Sequence, residues 1–494
     1  MTADGNAQFI VRSFYYDKKG NVIQTAEARQ DVGTTSRIST KYGFTGNVLQ
    51  SRETVDLPAA GGGSAVTNHL DKTFTYDSRV RLTNQTAQLT SGGTSGPQGS
   101  LGYTYDALGR NATFTRGTGT AADTTPYTYT VQGWLKTADG TTYSETLYYQ
   151  DASNTNGLPG KAGLITEWTT LQKGTTADGG TTVSDTYAYE YDGAGRLTGS
   201  TRYSGSSSTA LTTLTEKGIT YDESGNLLTI KRYDASSATT PVDDLTFTYT
   251  GTKRTGYSYD THGNMTADNI NGTSITWNVI GLPKSISDNT NTARRVYAAD
   301  GTLLAVYEGT SGTTGRVYVG SLDIMRASNG AFTVESAGWE GGRLLPGTGN
   351  DKVLYQITDH LGSVRAVKDG AGNILQRIDY YPFGSVSSGW SSSTTPAQST
   401  IRYRFSGKEI AGQVVGASAP AGTPAAAAGN PYLDFGARLY DPRTATWLSH
   451  DPLAEKYYGI SPYLYAGNCP VSIFDPNGRD IYIFGNLFEN AFKQ

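Results

Sequence analysis

The stretch Tyr187-Ala-Tyr-Glu-Tyr191-Asp192-Gly-Ala-Gly195-Arg-Leu197 decides the fold. Aromatic residues alternate with smaller or polar ones up to Tyr191, the period of a half-buried β-strand. Asp192 then opens a turn, its carboxylate taking a backbone N–H two residues on. Gly195 supplies the positive φ that closes a type I turn into a bulge, and Leu197 restarts a strand. The unit is strand, tight turn, strand.

That unit recurs. Tyr-Asp-x-x-Gly stands at Tyr16…Gly20, Tyr105…Gly109, Tyr191…Gly195, Tyr221…Gly225 and Tyr259…Gly263. Apolar Val22, Leu197, Leu227 and Met265 follow two residues after every Gly but Gly109. Degenerate copies lie between them. Tyr42…Gly46 and Tyr129…Gly133 lack the Asp, and Tyr76-Asp77…Val80 lacks the Gly. Leu245-Thr-Phe-Thr-Tyr249 repeats the strand pattern, and Pro58–Thr67, Gly92–Gly99 and Ser204–Thr209 are expected loops. A repeated small unit predicts an array in which neighbours complete one another's core.

Composition narrows the architecture. The 494 residues hold 34 Tyr and 61 Gly with few aliphatics, which suits a curved or hollow sheet better than a thick sandwich. Forty basic residues against 44 acidic give no polycationic surface, so no nucleic-acid partner is expected. No run approaches the ~20 apolar residues of a membrane span. The first residues carry no signal-peptide pattern. The chain enters a repeat almost at once, which predicts a further N-terminal portion. Cys469 stands alone, the bland reading being a buried thiol. His69, His262, His360 and His450 have no metal spacing, and no cofactor is expected.

Near residue 290 the repeats yield to longer strands, Leu303–Tyr307 and Arg316–Val319 among them. Low-complexity inserts follow at Ser385–Thr400 and Ala417–Ala428. From Pro431 the sequence is dense, and three Asp-Pro pairs (Asp441, Asp451, Asp475) predict three chain reversals.

The Tyr-Asp repeats, Asp359-His-Leu-Gly-Ser-Val364, Phe405-Ser-Gly-Lys-Glu409 and the block 431–478 together resemble the bacterial RHS (YD-repeat) family. The resemblance implies an all-β fold: a hairpin array spiralling into a hollow shell, closed by a C-terminal core domain. Its expected parts are a repeat array at 1–290, connecting strands at 291–400, the core domain at 401–479 and a short apolar tail at 480–494. The tail reads as the stub of a C-terminal effector. In toxin members the shell encloses such an effector, and the core domain cuts its own chain after an Asp-Pro-x-Gly motif. Carried over by position, the acid pair is Asp451 and Asp475, the basic residue is Arg438, and the cut follows Arg479. This chain departs from the self-cleaving pattern at Arg479, at Ala445-Thr446-Trp447 and across Ala454–Ile460. A secreted or cell-surface location follows from the family alone.

Two crowded carboxylates resist ionising together, so one keeps a proton and polarises a carbonyl while the other activates water. A guanidinium beside them holds one ionised. The competing reading makes Asp451 and Asp475 plain turn formers. No trans-acting enzyme is expected. The implied partner is the chain's own C-terminal segment or an effector. A second reading is a surface adhesin that binds glycans or cell-surface proteins through exposed aromatics such as Trp134, Trp168 and Trp277.

Overall fold

The computed structural model describes residues 9–58, 65–149, 163–174, 182–205, 209–235, 237, 239–269, 272–288, 291–391, 402–411, 432–457 and 459–483. The fold is all-β: among the described residues there are strands and short 3-10 turns, and no α-helix. No helix of these residues is long and apolar enough to cross a membrane. Most of the expected tail, and the insert at 417–428, lie outside the described residues.

Two compact units form, and the repeat segment contributes to both. One comprises Met1–Thr124, Arg295–Gln356 and Lys368–Asn373. Its strands Ile10–Tyr16, Val22–Arg29, Thr34–Tyr42, Val48–Leu57, Val66–Tyr76, Leu82–Ser91, Thr94–Tyr105 and Asn111–Arg116 follow one another in a sheet, each hydrogen-bonded to the next. Alternation places Leu70, Leu89 and Leu101 on one face, where they pack with Val317, Ile324, Ala337 and Trp339. The segment Gly92–Gly99 is not the expected loop. Gly92 and Gly93 both take positive φ, so two residues suffice for the reversal, and a strand begins at Thr94.

The second unit comprises Thr125–Arg294, Ile357–Val367 and Ile374–Gln494. Hairpins through Tyr143–Tyr148, Glu167–Gln172, Val183–Tyr191 and Leu197–Ser204 lead to a core dominated by rings. Phe405, Phe435, Tyr440, Trp447 and Tyr465 interlock there, with Tyr440 and Tyr465 centroids 4.3 Å apart. A small sheet of Glu409–Ile410, Leu433–Asp434, Leu439–Asp441 and Thr446–Trp447 frames this cluster.

The turn is built as its sequence requires. At Asp192 the backbone N–H donates to the Arg196 carbonyl (2.9 Å), and Gly195 donates back to Asp192 (3.1 Å). The Asp192 carboxylate accepts the N–H groups of Ala194 and Arg196. Its second oxygen takes the side chain of Arg196. The same closure by the fourth residue on uses Asn21, Arg81, Arg110, Asn226 and Asn264. Where Asp is missing, Thr130 accepts the N–H of Trp134 with its hydroxyl. The turn also recurs beyond residue 290, at Asp359…Gly362 and Asp369…Gly372.

Six tyrosines tie their segment to an earlier one. The Tyr hydroxyl donates to the carbonyl of an apolar residue 20–28 positions earlier: Tyr42 to Val22, Tyr76 to Val48, Tyr105 to Leu82, Tyr191 to Ile165, Tyr221 to Leu197 and Tyr249 to Leu227. These bonds are 2.6–3.0 Å long.

Candidate functional site

The three Asp-Pro pairs make the reversals expected of them, because each Asp accepts the N–H two residues on: Arg443, Leu453 and Asn477. Two of the three Asp residues do more. Arg438, leading into the strand Leu439–Asp441, sends Nη2 to both Asp451 Oδ2 (3.0 Å) and Asp475 Oδ2 (3.2 Å). The three residues singled out in the sequence therefore meet at one guanidinium nitrogen.

Ring packing places that nitrogen. The Arg438 guanidinium lies 4.1 Å from the centroid of the buried Trp447 ring, which leaves its edges free to donate. Nε donates to the Gly478 carbonyl (2.7 Å) and Nη1 to the Pro462 carbonyl (3.3 Å). Ala445 takes a left-handed φ of 53° to lead the chain into Thr446–Trp447. Gly478 has φ 74°, and a Cβ there would stand 3.0 Å from the Arg438 backbone nitrogen. Only glycine fits that approach.

The two acids differ in setting. Asp475 is fully buried, and Oδ1 accepts N–H groups from Asn477 (3.0 Å), Gly478 (2.6 Å) and Arg479 (3.2 Å). Burial raises its carboxyl above the usual range, against the opposing pull of Arg438 and those N–H groups. Asp451 keeps 12 % of its side chain exposed. Burial pulls the Arg438 guanidinium below its ordinary value, with Asp451 and Asp475 opposing. A fully buried acid beside a partly exposed one is the asymmetry that acid–base division of labour requires.

A fourth charged residue was not singled out in the sequence. Lys408 donates from Nζ to the Pro476 carbonyl (2.6 Å). It lies in Phe405–Glu409, a stretch that stood out only for its family likeness. Past the motif, Lys456 pairs with Asp480 (2.6 Å), and Ile473–Phe474 pairs antiparallel with Tyr482–Ile483.

Of the aromatics named for glycan contact, Trp168 is buried and Trp134 and Trp277 are half-buried. Trp168 is 5 % exposed, with His360 packed edge-on 4.7 Å away. Trp134 packs on Tyr149, and the Trp277 indole donates to the Met265 carbonyl. These three tryptophans serve packing. Cys469 is buried, its thiol pushed up to about 11 by that burial. Among the described residues no group of three or more His, Cys, Asp or Glu is placed to hold a metal ion.

No family model matches the chain. It is similar in sequence to "Toxin subunit YenC1" of Yersinia entomophaga, 27% identical over 192 residues that cover 39% of this chain and 17% of that one. It is also similar to "Salivary gland surface protein 1" of Aedes aegypti, 32% identical over 130 residues that cover 26% of this chain and 3% of that one. The chain thus spans a small part of the curated relatives it matches. Among solved structures, a TcdB2-TccC3 crystal structure aligns over 96% of this chain and 22% of its own, with TM-score 0.45 and 17% identity. A Photorhabdus luminescens Tc holotoxin pore aligns over 94% and 21%, with TM-score 0.46 and 18% identity.

Proposed function

We propose that this chain is a structural shell component of an RHS-type toxin or cell-surface protein. In this reading it encloses or displays a C-terminal effector, acts outside the cell or at its surface, and cuts its own chain after Arg479. The observation that carries the reading is the single Arg438 nitrogen shared by Asp451 and Asp475, four residues before the proposed cut. Similarity to toxin subunits supports the setting.

The chemistry is a hydrolysis. Asp451, open to solvent, takes a proton from water as the water oxygen adds to the Arg479 carbonyl carbon. The C–N bond to Asp480 breaks, and the departing nitrogen takes a proton from the neutral Asp475 carboxyl. The reacting form is the one in which Asp475, its carboxyl raised by burial, holds a proton while Arg438 bridges both acids. Because the substrate is part of the same chain, one turnover suffices and effective concentration is high.

Intact mass under denaturing conditions tests the reading. The wild-type chain is expected to end at Arg479, with Asp451→Asn and Asp475→Asn remaining full length. A full-length wild-type chain would leave Asp451 and Asp475 as turn formers. Small-angle scattering tests the shell separately, since a solid particle without an internal void would remove the enclosure.

A further inference from the structure

The turn Asp475–Arg479 is held from three sides. Asp475 takes three of its N–H groups, Arg438 takes the Gly478 carbonyl, and Lys408 takes the Pro476 carbonyl. Two of these holds belong to the acid pair and its arginine. The third comes from elsewhere and from a residue with no evident structural need to be there.

Lys408 is presented by a rigid device. Gly407 donates to the Arg404 carbonyl and Lys408 to that of Phe405, while Arg404 donates to Lys408. Ser406 and Gly407 both take left-handed φ, 51° and 65°. The turn is pinned by the Phe405 ring in the aromatic cluster and by the Ser406 N–H on Ser363 Oγ (2.9 Å). Nζ lies 5.3 Å from the Phe435 ring centroid. Among the described residues no carboxylate pairs directly with it. A lysine left to itself extends into water, because its ammonium is strongly hydrated and its stem is flexible. Here the ammonium is drawn inward to one backbone carbonyl of the turn that bears the proposed cut.

We propose that Lys408 is a positioning residue for the self-cleavage, fixing the Asp475–Arg479 turn through the Pro476 carbonyl and placing a positive charge beside the acid pair. The inference rests on the self-cleaving reading above. The charged groups that face Lys408 are Asp434 and Asp475, with Arg438 behind Asp475. Burial lowers the Lys408 pKa, and those two carboxylates oppose the fall. Loss of the ammonium removes a charge that favours ionised Asp475, so the proton needed on the acid pair persists to higher pH.

The test follows cleavage after cell-free synthesis of the full chain, by intact mass over time between pH 5 and 9. Wild type, Lys408→Met, Lys408→Arg and Asp475→Asn are compared, each with a thermal melt. The expected result is cleavage by wild type and Lys408→Arg, and between about tenfold and a hundredfold slowing in Lys408→Met. The alkaline limb of the Lys408→Met profile should also move to higher pH. Lys408→Met cutting at the wild-type rate with the wild-type profile overturns the inference and leaves self-cleavage standing. Uniform slowing of both variants with an unmoved limb also overturns it, since that is loosened packing alone. If Lys408→Met fails to melt cooperatively, Lys408→Arg decides, because a positioning ammonium is replaceable by a guanidinium. A wild-type chain that never cuts removes the self-cleaving reading itself.

Discussion

The hydroxyl of Tyr221 donates to the backbone carbonyl of Leu197 at 2.6 Å, across a separation of 24 residues. The contact explains why the repeat carries tyrosine rather than phenylalanine: the ring fills the core and the hydroxyl ties its repeat to the one before. Tyr221→Phe keeps the ring and leaves the buried Leu197 carbonyl unpaired. The expected loss is about 1–2 kcal/mol. It should appear as a lower denaturant midpoint with an unchanged m-value. An unaltered midpoint would mean the staple contributes nothing net.

Val80 stands where the other repeats place glycine, and it holds the same left-handed turn at φ 63°. A β-branched residue there carries about 1–2 kcal/mol of steric strain. Its side chain is 43 % exposed and packs little, so its loss removes few contacts. Val80→Gly should therefore stabilise the chain by roughly 1 kcal/mol, less the backbone entropy of glycine. A lower melting temperature in the variant would contradict the strain argument.

The turns, the strands and the acid–arginine trio were legible because each depends on residues close together in sequence or on a motif of fixed order. Asp192 and Gly195 state their own geometry. Three features were not legible, each for a physical reason. The Asn or Arg that closes each turn, such as Arg196 on Asp192, reads as an ordinary surface residue until its side chain is placed. The tyrosine staple joins residues twenty or more apart, and alternation alone reveals a buried face but not where a hydroxyl ends. Trp168 offers in sequence only a ring suited to stacking on a sugar, and its neighbours in space, His360 and Arg365, lie far along the chain.

His360 provides a pH dependence. Nδ1 faces Glu145 Oε2 at 3.1 Å and Nε2 faces the Val471 carbonyl at 3.0 Å. Two acceptors demand a donor on each nitrogen, which only the imidazolium supplies. Burial disfavours the charge, but Glu145, Asp359 and the Val471 carbonyl outweigh it and hold the pKa above its ordinary value. Tyr143 also faces Glu145, while Arg365 is engaged by Asp359 and Asp379. A raised folded-state pKa gives stability that is full below about pH 6.5, the unfolded value, and is lost as pH rises through the folded value. Denaturant midpoints should fall as pH passes from 6 to 9, and His360→Gln should flatten that slope. A wild-type slope retained in His360→Gln would assign the dependence to another group.

Arg438 and Asp475 test the electrostatics of the candidate site without reference to cleavage. Arg438→Met strips the cation from a fully buried carboxylate, which breaks a buried pair at a cost of about 3–5 kcal/mol near neutral pH. Asp475→Asn retains a side-chain oxygen to accept the N–H groups of Asn477, Gly478 and Arg479, so its loss should be smaller. With the guanidinium gone, the Asp475 carboxyl rises further above its unfolded value. The folded state then holds a proton that the unfolded chain releases, so the Arg438→Met deficit should shrink as pH falls toward 4. The lost stacking on Trp447 and the lost bonds to Gly478 and Pro462 do not titrate, and they set the part of the deficit that remains. A deficit that stays constant from pH 7 to pH 4 would assign it to the lost stacking and hydrogen bonds and not to the Asp475 charge.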